Sequence, residues 1–220
     1  MIALARLRDA CGQAQRLLRL GCQYLSLAGS LAVVGACVNE LPASYLPGVS
    51  IELAEARADV IANVHYDLSF SIPSNRLESI RGTAVVTFVL TRAGSVVFDF
   101  AQNAEQVLSV RVNGGDADYV VENEHIAIAE VPAGQANVEV EFVSGDQSLN
   151  RQADFMYTLF VPDRARFAFP VFDQPNIKAR YALELEIPSD WRAVANGPRL
   201  SREVNGERTT VRFGGTAFIS

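Results

Sequence analysis

Side chains that usually carry chemistry are scarce in this sequence: its 220 residues include two histidines and three cysteines. The histidines, His65 in NVHYDLSF and His125 in ENEHIAIAE, have no second His or Cys at metal-ligand spacing, so a local zinc motif is excluded. A zinc site built on either would need Glu122, Glu124 or Asp67 brought in by the fold, and a hydrogen-bonded structural histidine is the plainer reading. Ser69, Ser71 and Ser74 lack a nucleophile elbow, and no glycine-rich phosphate loop opens a helix. Positive charge is also short. The formal charge is −6, and Arg6, Arg8, Arg16 and Arg19 fall in the first 36 residues against Asp9 alone. The remaining body is therefore acidic and has no basic stripe, which argues against nucleic acid as a partner.

Long hydrophobic runs are missing as well. The apolar stretch YLSLAGSLAVVGAC, residues 24–37, is too short to span a bilayer as a mature helix. Coming after the arginines, it reads as the end of a targeting segment over residues 1–36, absent from the mature protein. Val34-Gly35-Ala36-Cys37 resembles the lipobox of bacterial lipoproteins, in which the cysteine is acylated and becomes the first residue. An ordinary cleaved signal and an amphipathic amino-terminal helix are the alternatives. Cys11 and Cys22 lie inside the removed segment, so Cys37 alone survives and no disulfide forms within the mature chain. The several acyl chains of a bacterial lipoprotein would anchor the domain firmly at a membrane of the cell envelope, periplasmic or surface-facing. Residues 37–57, with two prolines and little periodicity, read as a tether.

Residues 58–220 alternate apolar and polar side chains almost throughout. Runs such as ANVHYDLSFSI, GTAVVTFVL, SVVFDF, HIAIAEV, ANVEVEFV and ARYALELEI are short and rich in Val, Phe, Ile and Tyr, as half-buried strands are. Asn113-Gly114-Gly115, Pro132-Ala133-Gly134, Asn196-Gly197-Pro198 and Asn205-Gly206 supply turn chemistry between them. An all-β domain follows, a sandwich or a large curved antiparallel sheet.

Within this body, Glu184 with Glu186 and Glu139 with Glu141 each line one sheet face, most simply a solvated face; a glycosidase-like acid pair stays open. Trp191 reads as a partly buried aromatic at a strand end. The densest segment is RARFAFPVFDQPNIKARY, residues 164–181. Pro170 and Pro175 fix the backbone at two points of a tight corner and bias Phe169 and Gln174 to extended conformations. Asp173 is expected to accept backbone N–H groups just beyond itself, and to pair with either Arg166 or Lys178. The segment reads as a rigid scaffold.

This segment resembles the signature of the amino-terminal domain of the zinc aminopeptidases, the aminopeptidase N and leukotriene hydrolase family, in which an arginine precedes a Pro-Cys-Phe-Asp-Glu-Pro-like run and Lys-Ala. Arg166, Pro170, Phe172, Asp173, Pro175, Lys178 and Ala179 fall on that pattern, with Val171 in place of the cysteine and Gln174 in place of the glutamate. HYDLSF at 65–70, Gly82 in IRGTAVVTF, EIPSDWRAVANG and FGGTAFIS resemble further landmarks in the same order, covering residues 58–220. The resemblance implies that the chemistry belongs to a following domain, whose Gly-x-Met-Glu-Asn loop binds the substrate amine and whose His-Glu-x-x-His helix holds zinc. That domain is missing from this sequence. No catalytic residue, metal ligand or cofactor is therefore expected in this chain, which should be inactive alone. Leu159 and Val161 occupy places where many members carry a glutamine and an acidic residue that receive the substrate's amino terminus, and neither accepts a hydrogen bond, so no substrate-binding residue carries over. The implied function is the non-catalytic front domain of a membrane-anchored zinc aminopeptidase, with the catalytic domain, through it a peptide, and the membrane as partners. A stand-alone envelope module binding a peptide, glycan or protein, and a small hydrolase using paired carboxylates, are the other readings.

Overall fold

The computed structural model describes residues 46–220, which fall within one compact unit. The signal segment, the proposed lipid site Cys37 and the start of the tether lie outside the described residues.

A helix, α1 (Ile51–Val60), precedes thirteen strands: β1 (Ile61–Ser71), β2 (Arg81–Leu90), β3 (Gly94–Asp99), β4 (Val107–Val112), β5 (Gly115–Asp116), β6 (Tyr119–Glu122), β7 (His125–Val131), β8 (Gly134–Val143), β9 (Leu149–Arg151), β10 (Met156–Thr158), β11 (Ala179–Pro188), β12 (Arg199–Asn205) and β13 (Arg208–Phe213). Residues 51–57, read above as tether, are instead the first turns of α1. Ser50 caps the helix, its hydroxyl accepting from the Leu53 N–H at 3.2 Å, and Glu52 sits in the first turn where the helix dipole favours an anion. Only Leu53 and Arg57 are buried, so the helix has no apolar stripe to betray it in sequence.

Eight strands form one sheet in the order β12-β13-β11-β1-β2-β8-β4-β5. The expected all-β body and large sheet are present, with one correction: β1 and β11 pair in parallel, so the sheet is mixed rather than purely antiparallel. A parallel neighbour needs a long crossover, and everything from β2 to the 164–178 corner intervenes between these two strands. A second, three-stranded sheet, β3-β7-β6, packs over β1, β2, β8 and β4. Period-two burial makes the contact: Ala84, Val86, Phe88 and Leu90 of β2 and Ala136, Val138, Val140 and Phe142 of β8 point inward. Phe88 meets Phe98 of the upper sheet edge to face, with centroids 6.4 Å apart. Gly82 is required here by close approach, because a Cβ would lie 2.6 Å from the Phe142 ring.

The other end of the same face is less covered. On β11, Leu183 and Leu185 are half-buried, beside a small cluster of Ile72, Ile80, Ile187, Val211 and Phe213. The expected turns fall between strands: Asn113 (φ 52°) and Gly114 (φ 84°) join β4 to β5, Gly134 (φ 101°) opens β8, and Gly206 (φ 62°) turns β12 into β13.

Candidate functional site

The 164–181 segment leaves a 3-10 turn, Ala165–Phe167, and is drawn against the upper sheet by an isolated bridge between Val171 and Asp99. Asp173 then sits at the tip of a tight turn in which the Gln174 N–H donates to the Phe172 carbonyl at 2.9 Å. The Phe172 N–H donates to the Tyr66 hydroxyl at 2.9 Å, and the Phe172 ring stacks on Phe98 with centroids 4.5 Å apart. Tyr66 itself stacks on Tyr181 at 4.8 Å. Burial first, and then the nearby Asp173 charge, push the Tyr181 hydroxyl up to about 12.

Two aspartates, one buried and one partly exposed, organise the polar side of the corner. Asp99, fully buried on β3, accepts from Arg57 through both carboxylate oxygens at 2.6 and 2.8 Å, and from the Asp173 N–H at 2.8 Å; His125 Nε2 lies 3.2 Å away. Burial opposes its ionisation, but the Arg57 charge and these hydrogen bonds outweigh it and hold the carboxyl below its ordinary range. Asp173 has weaker support. Its Oδ2 accepts the Arg166 N–H at 3.0 Å and stands 3.9 Å from the Arg166 guanidinium. Burial, together with repulsion from Asp99, raises it to about 6.

Of the expected scaffold residues, Arg166, Phe172, Asp173 and Gln174 take part in the contacts of the corner, with one difference from expectation. Asp173 accepts an N–H seven residues before it rather than just beyond it, because the chain folds back through the 3-10 turn. Of its two candidate partners, Arg166 is the one beside it. Arg166 also reaches Asp163 at 2.8 Å and Glu124 at 3.4 Å, and covers the Phe167 ring. Lys178 is exposed and joins no ion pair among the described residues. Pro170 is buried in the turn and Pro175 is exposed. Gln174, a departure from the family pattern, uses both ends of its amide: Oε1 accepts from Arg57 at 3.2 Å, while Nε2 donates to the Ala54 carbonyl and to Asn176 at 2.8 Å each. Sequence reasoning missed Arg57 and Asp99. The available signal was Asp99 itself, one acid inside the apolar run SVVFDF, which demands a buried partner.

The corner forms one wall of an apolar cleft of about 770 Å³ on the open half of the large sheet. Phe70, Leu183, Leu185, Met156 and Trp191 line it, and Ile219 and Ser220 lie at it. Leu159 and Val161 are exposed at 56% and 85%, and Phe155 and Tyr157 stack beside them in the open, so apolar surface continues along this side. The remaining candidates lie elsewhere. Glu184 pairs with Arg212 at 2.6 Å, Glu139 and Glu141 share Arg111, and Glu186 accepts from Ser71, all outside the cleft, as solvated faces do. His65 meets Asp67 at 3.1 Å, and His125 lies against Asp99 instead. No group of three or more His, Cys, Asp or Glu among the described residues is arranged to hold a metal ion, so the donor set here does not fit zinc.

The fold agrees with comparison to known proteins. Residues 62–220 match the peptidase M1 N-terminal domain, and the chain belongs to that family. It is 26% identical over 170 residues to aminopeptidase N of Streptomyces lividans, covering 70% of this chain and 20% of that protein. Over 63 residues it is 40% identical to aminopeptidase M1-A of Oryza sativa subsp. japonica, covering 29% of this chain and 7% of that protein. An M1 zinc metallopeptidase from Deinococcus radiodurans superposes with a TM-score of 0.61 at 19% identity, over 70% of this chain and 38% of that one. The chain therefore spans a fifth or less of these curated relatives, and the match is to their amino-terminal domain.

Proposed function

We propose that this chain is the non-catalytic front domain of a zinc metallo-aminopeptidase, in which it supports the catalytic domain and walls one side of the substrate cleft. The whole enzyme would remove residues from the amino terminus of peptides, with zinc held entirely by the catalytic domain. The observation that carries this reading is the apolar cleft: half of an otherwise covered sheet face remains open, lined by aliphatic and aromatic side chains, with the Phe172–Pro175 corner at its rim. Monomeric soluble domains rarely leave so continuous an apolar surface unless a partner covers it. Leu159 and Val161 would offer that partner's substrate a hydrophobic wall and no acceptor for an ammonium group.

Anchoring belongs to the same proposal. Cleavage before Cys37 and acylation of its sulfur would hold the enzyme at a bacterial envelope membrane through the short tether. Metabolic labelling with a radioactive fatty acid should mark the chain, and Cys37→Ser should abolish the label. The functional test is zinc content and aminoacyl-amide hydrolysis by the 220-residue chain, alone and joined to an M1 catalytic domain. Metal and activity should appear only in the joined form. Stoichiometric zinc and hydrolysis by the chain alone would overturn the proposal.

A further inference from the structure

Helix α1 stands before the residues matched to the family, yet its one long buried side chain penetrates the middle of the corner. Ten residues are too few to keep a helix folded in water without tertiary contacts. Two side chains provide them: Leu53 packs on Val97 and Ala127, and Arg57 enters a closed polar socket. In that socket Arg57 Nε donates to the Val97 carbonyl at 3.0 Å, Nη1 to Asp99 and to Gln174 Oε1, and Nη2 to the other Asp99 oxygen. The face of Phe172 lies 5.6 Å from the guanidinium carbon. Planar, forked recognition of this kind suits guanidinium and no other common cation.

We propose that this is a guanidinium-binding socket, filled in cis by Arg57, through which helix α1 latches the Phe172–Asn176 corner in place. The socket and corner are one unit. Asp99 binds Arg57 and the Asp173 N–H with the same carboxylate, and Gln174 ties Arg57, the Ala54 carbonyl and Asn176 with one amide. Glutamate at 174 would have no N–H for the Ala54 carbonyl, which gives the departure from the family motif a physical reason. Because Phe172, Asp173, Gln174 and Pro175 also line the apolar cleft, withdrawal of α1 loosens that wall. The inference does not depend on the proposed enzymatic role.

The test is chemical rescue. In the full chain, Arg57→Ala should lower the thermal midpoint by on the order of 10 °C, since it leaves a buried carboxylate uncompensated. Guanidinium chloride in the low millimolar range should restore part of that loss with saturation, while equal concentrations of sodium chloride or urea should not. Arg57→Lys should recover little, having no planar fork. Absence of a saturable guanidinium effect beyond that of sodium chloride would overturn the socket. A measurement on the wild-type chain guards against a variant that does not fold: amide exchange at Asp173 and in α1 should proceed at a common rate, and independent rates would overturn the latch.

Discussion

The two halves of the large sheet share one alternating pattern but differ in what covers it. Over β2, β8 and β4 the inward residues Val86, Phe88, Val138 and Phe142 are fully enclosed by β3, β7 and β6. Over β11 the equivalent positions Leu183 and Leu185 are half-buried and face an open cleft, although Val211 and Phe213 on the neighbouring β13 are buried in a small cluster of their own. The same strand grammar therefore produces a closed core in one half and an unfinished interface in the other. Alternation decides which side chains point inward; only the presence of a second layer decides whether they become core.

The sharpest way to test this contrast is a pair of truncations. Phe98→Ala in the closed half removes a ring stacked on Phe172 and should cost about 3–5 kcal/mol of unfolding free energy in urea. Leu185→Ala in the open half should cost less, about 1–2 kcal/mol in the isolated chain, because part of its apolar surface stays in water and the open cleft leaves no closed cavity behind. Equal losses would erase the distinction between the halves. Asp99→Asn belongs with the large effects. Stranding the Arg57 charge in the interior should cost about 3–5 kcal/mol.

Intermediate effects are expected where geometry is tight but local. Gly82→Ala drives a methyl into the Phe142 ring and should cost about 1–3 kcal/mol, measured as a shift of the urea midpoint at constant slope.

Asp173 should act with the opposite sign to Asp99. Its carboxyl titrates at about 6 in the fold against an ordinary value of 3.8, so the folded state holds the proton more tightly. Between those pH values its contribution to stability falls as pH rises, and the full cost is present at neutral pH. A shift of this size corresponds to at most about 3 kcal/mol, and screening at a carboxylate partly open to water reduces that to about 1 kcal/mol. Asp173→Asn should therefore stabilise the domain at pH 7–8 by about 1 kcal/mol and flatten its stability profile between pH 4 and 6. Asp99, held below its ordinary range, contributes stability that is present above that range and lost as pH falls through its folded value. The smallest effect should come from Arg212→Ala, which breaks exposed pairs to Glu184 and Glu203 and should change stability by about 0.5 kcal/mol or less.

The strands that alternate strongly were legible in sequence, and so were the Asn113-Gly114, Gly134 and Gly206 turns, because period and positive φ are local properties. The parallel β1–β11 pairing was not, since nothing in ARYALELEI says which neighbour it will find. Short strands such as β6, β9 and β10 were lost for want of a period long enough to count. Helix α1 was hidden because an arginine occupies its buried face where an apolar stripe is expected. The corner was legible as a motif, through Arg166, Phe172 and Asp173, but its electrostatics were not. They depend on Asp99 and Arg57, 74 and 116 residues from Asp173 and Asp173's own corner, brought in only by the layered fold.

The open half of the sheet is tested most directly by amide hydrogen exchange along β11 and β13, comparing the chain alone with the chain joined to an M1 catalytic domain. Slowing of exchange at Leu183 and Leu185 by tenfold or more in the joined protein, with β2 and β8 unchanged, is the expected result for a face built to be covered. Identical exchange in both forms would contradict it.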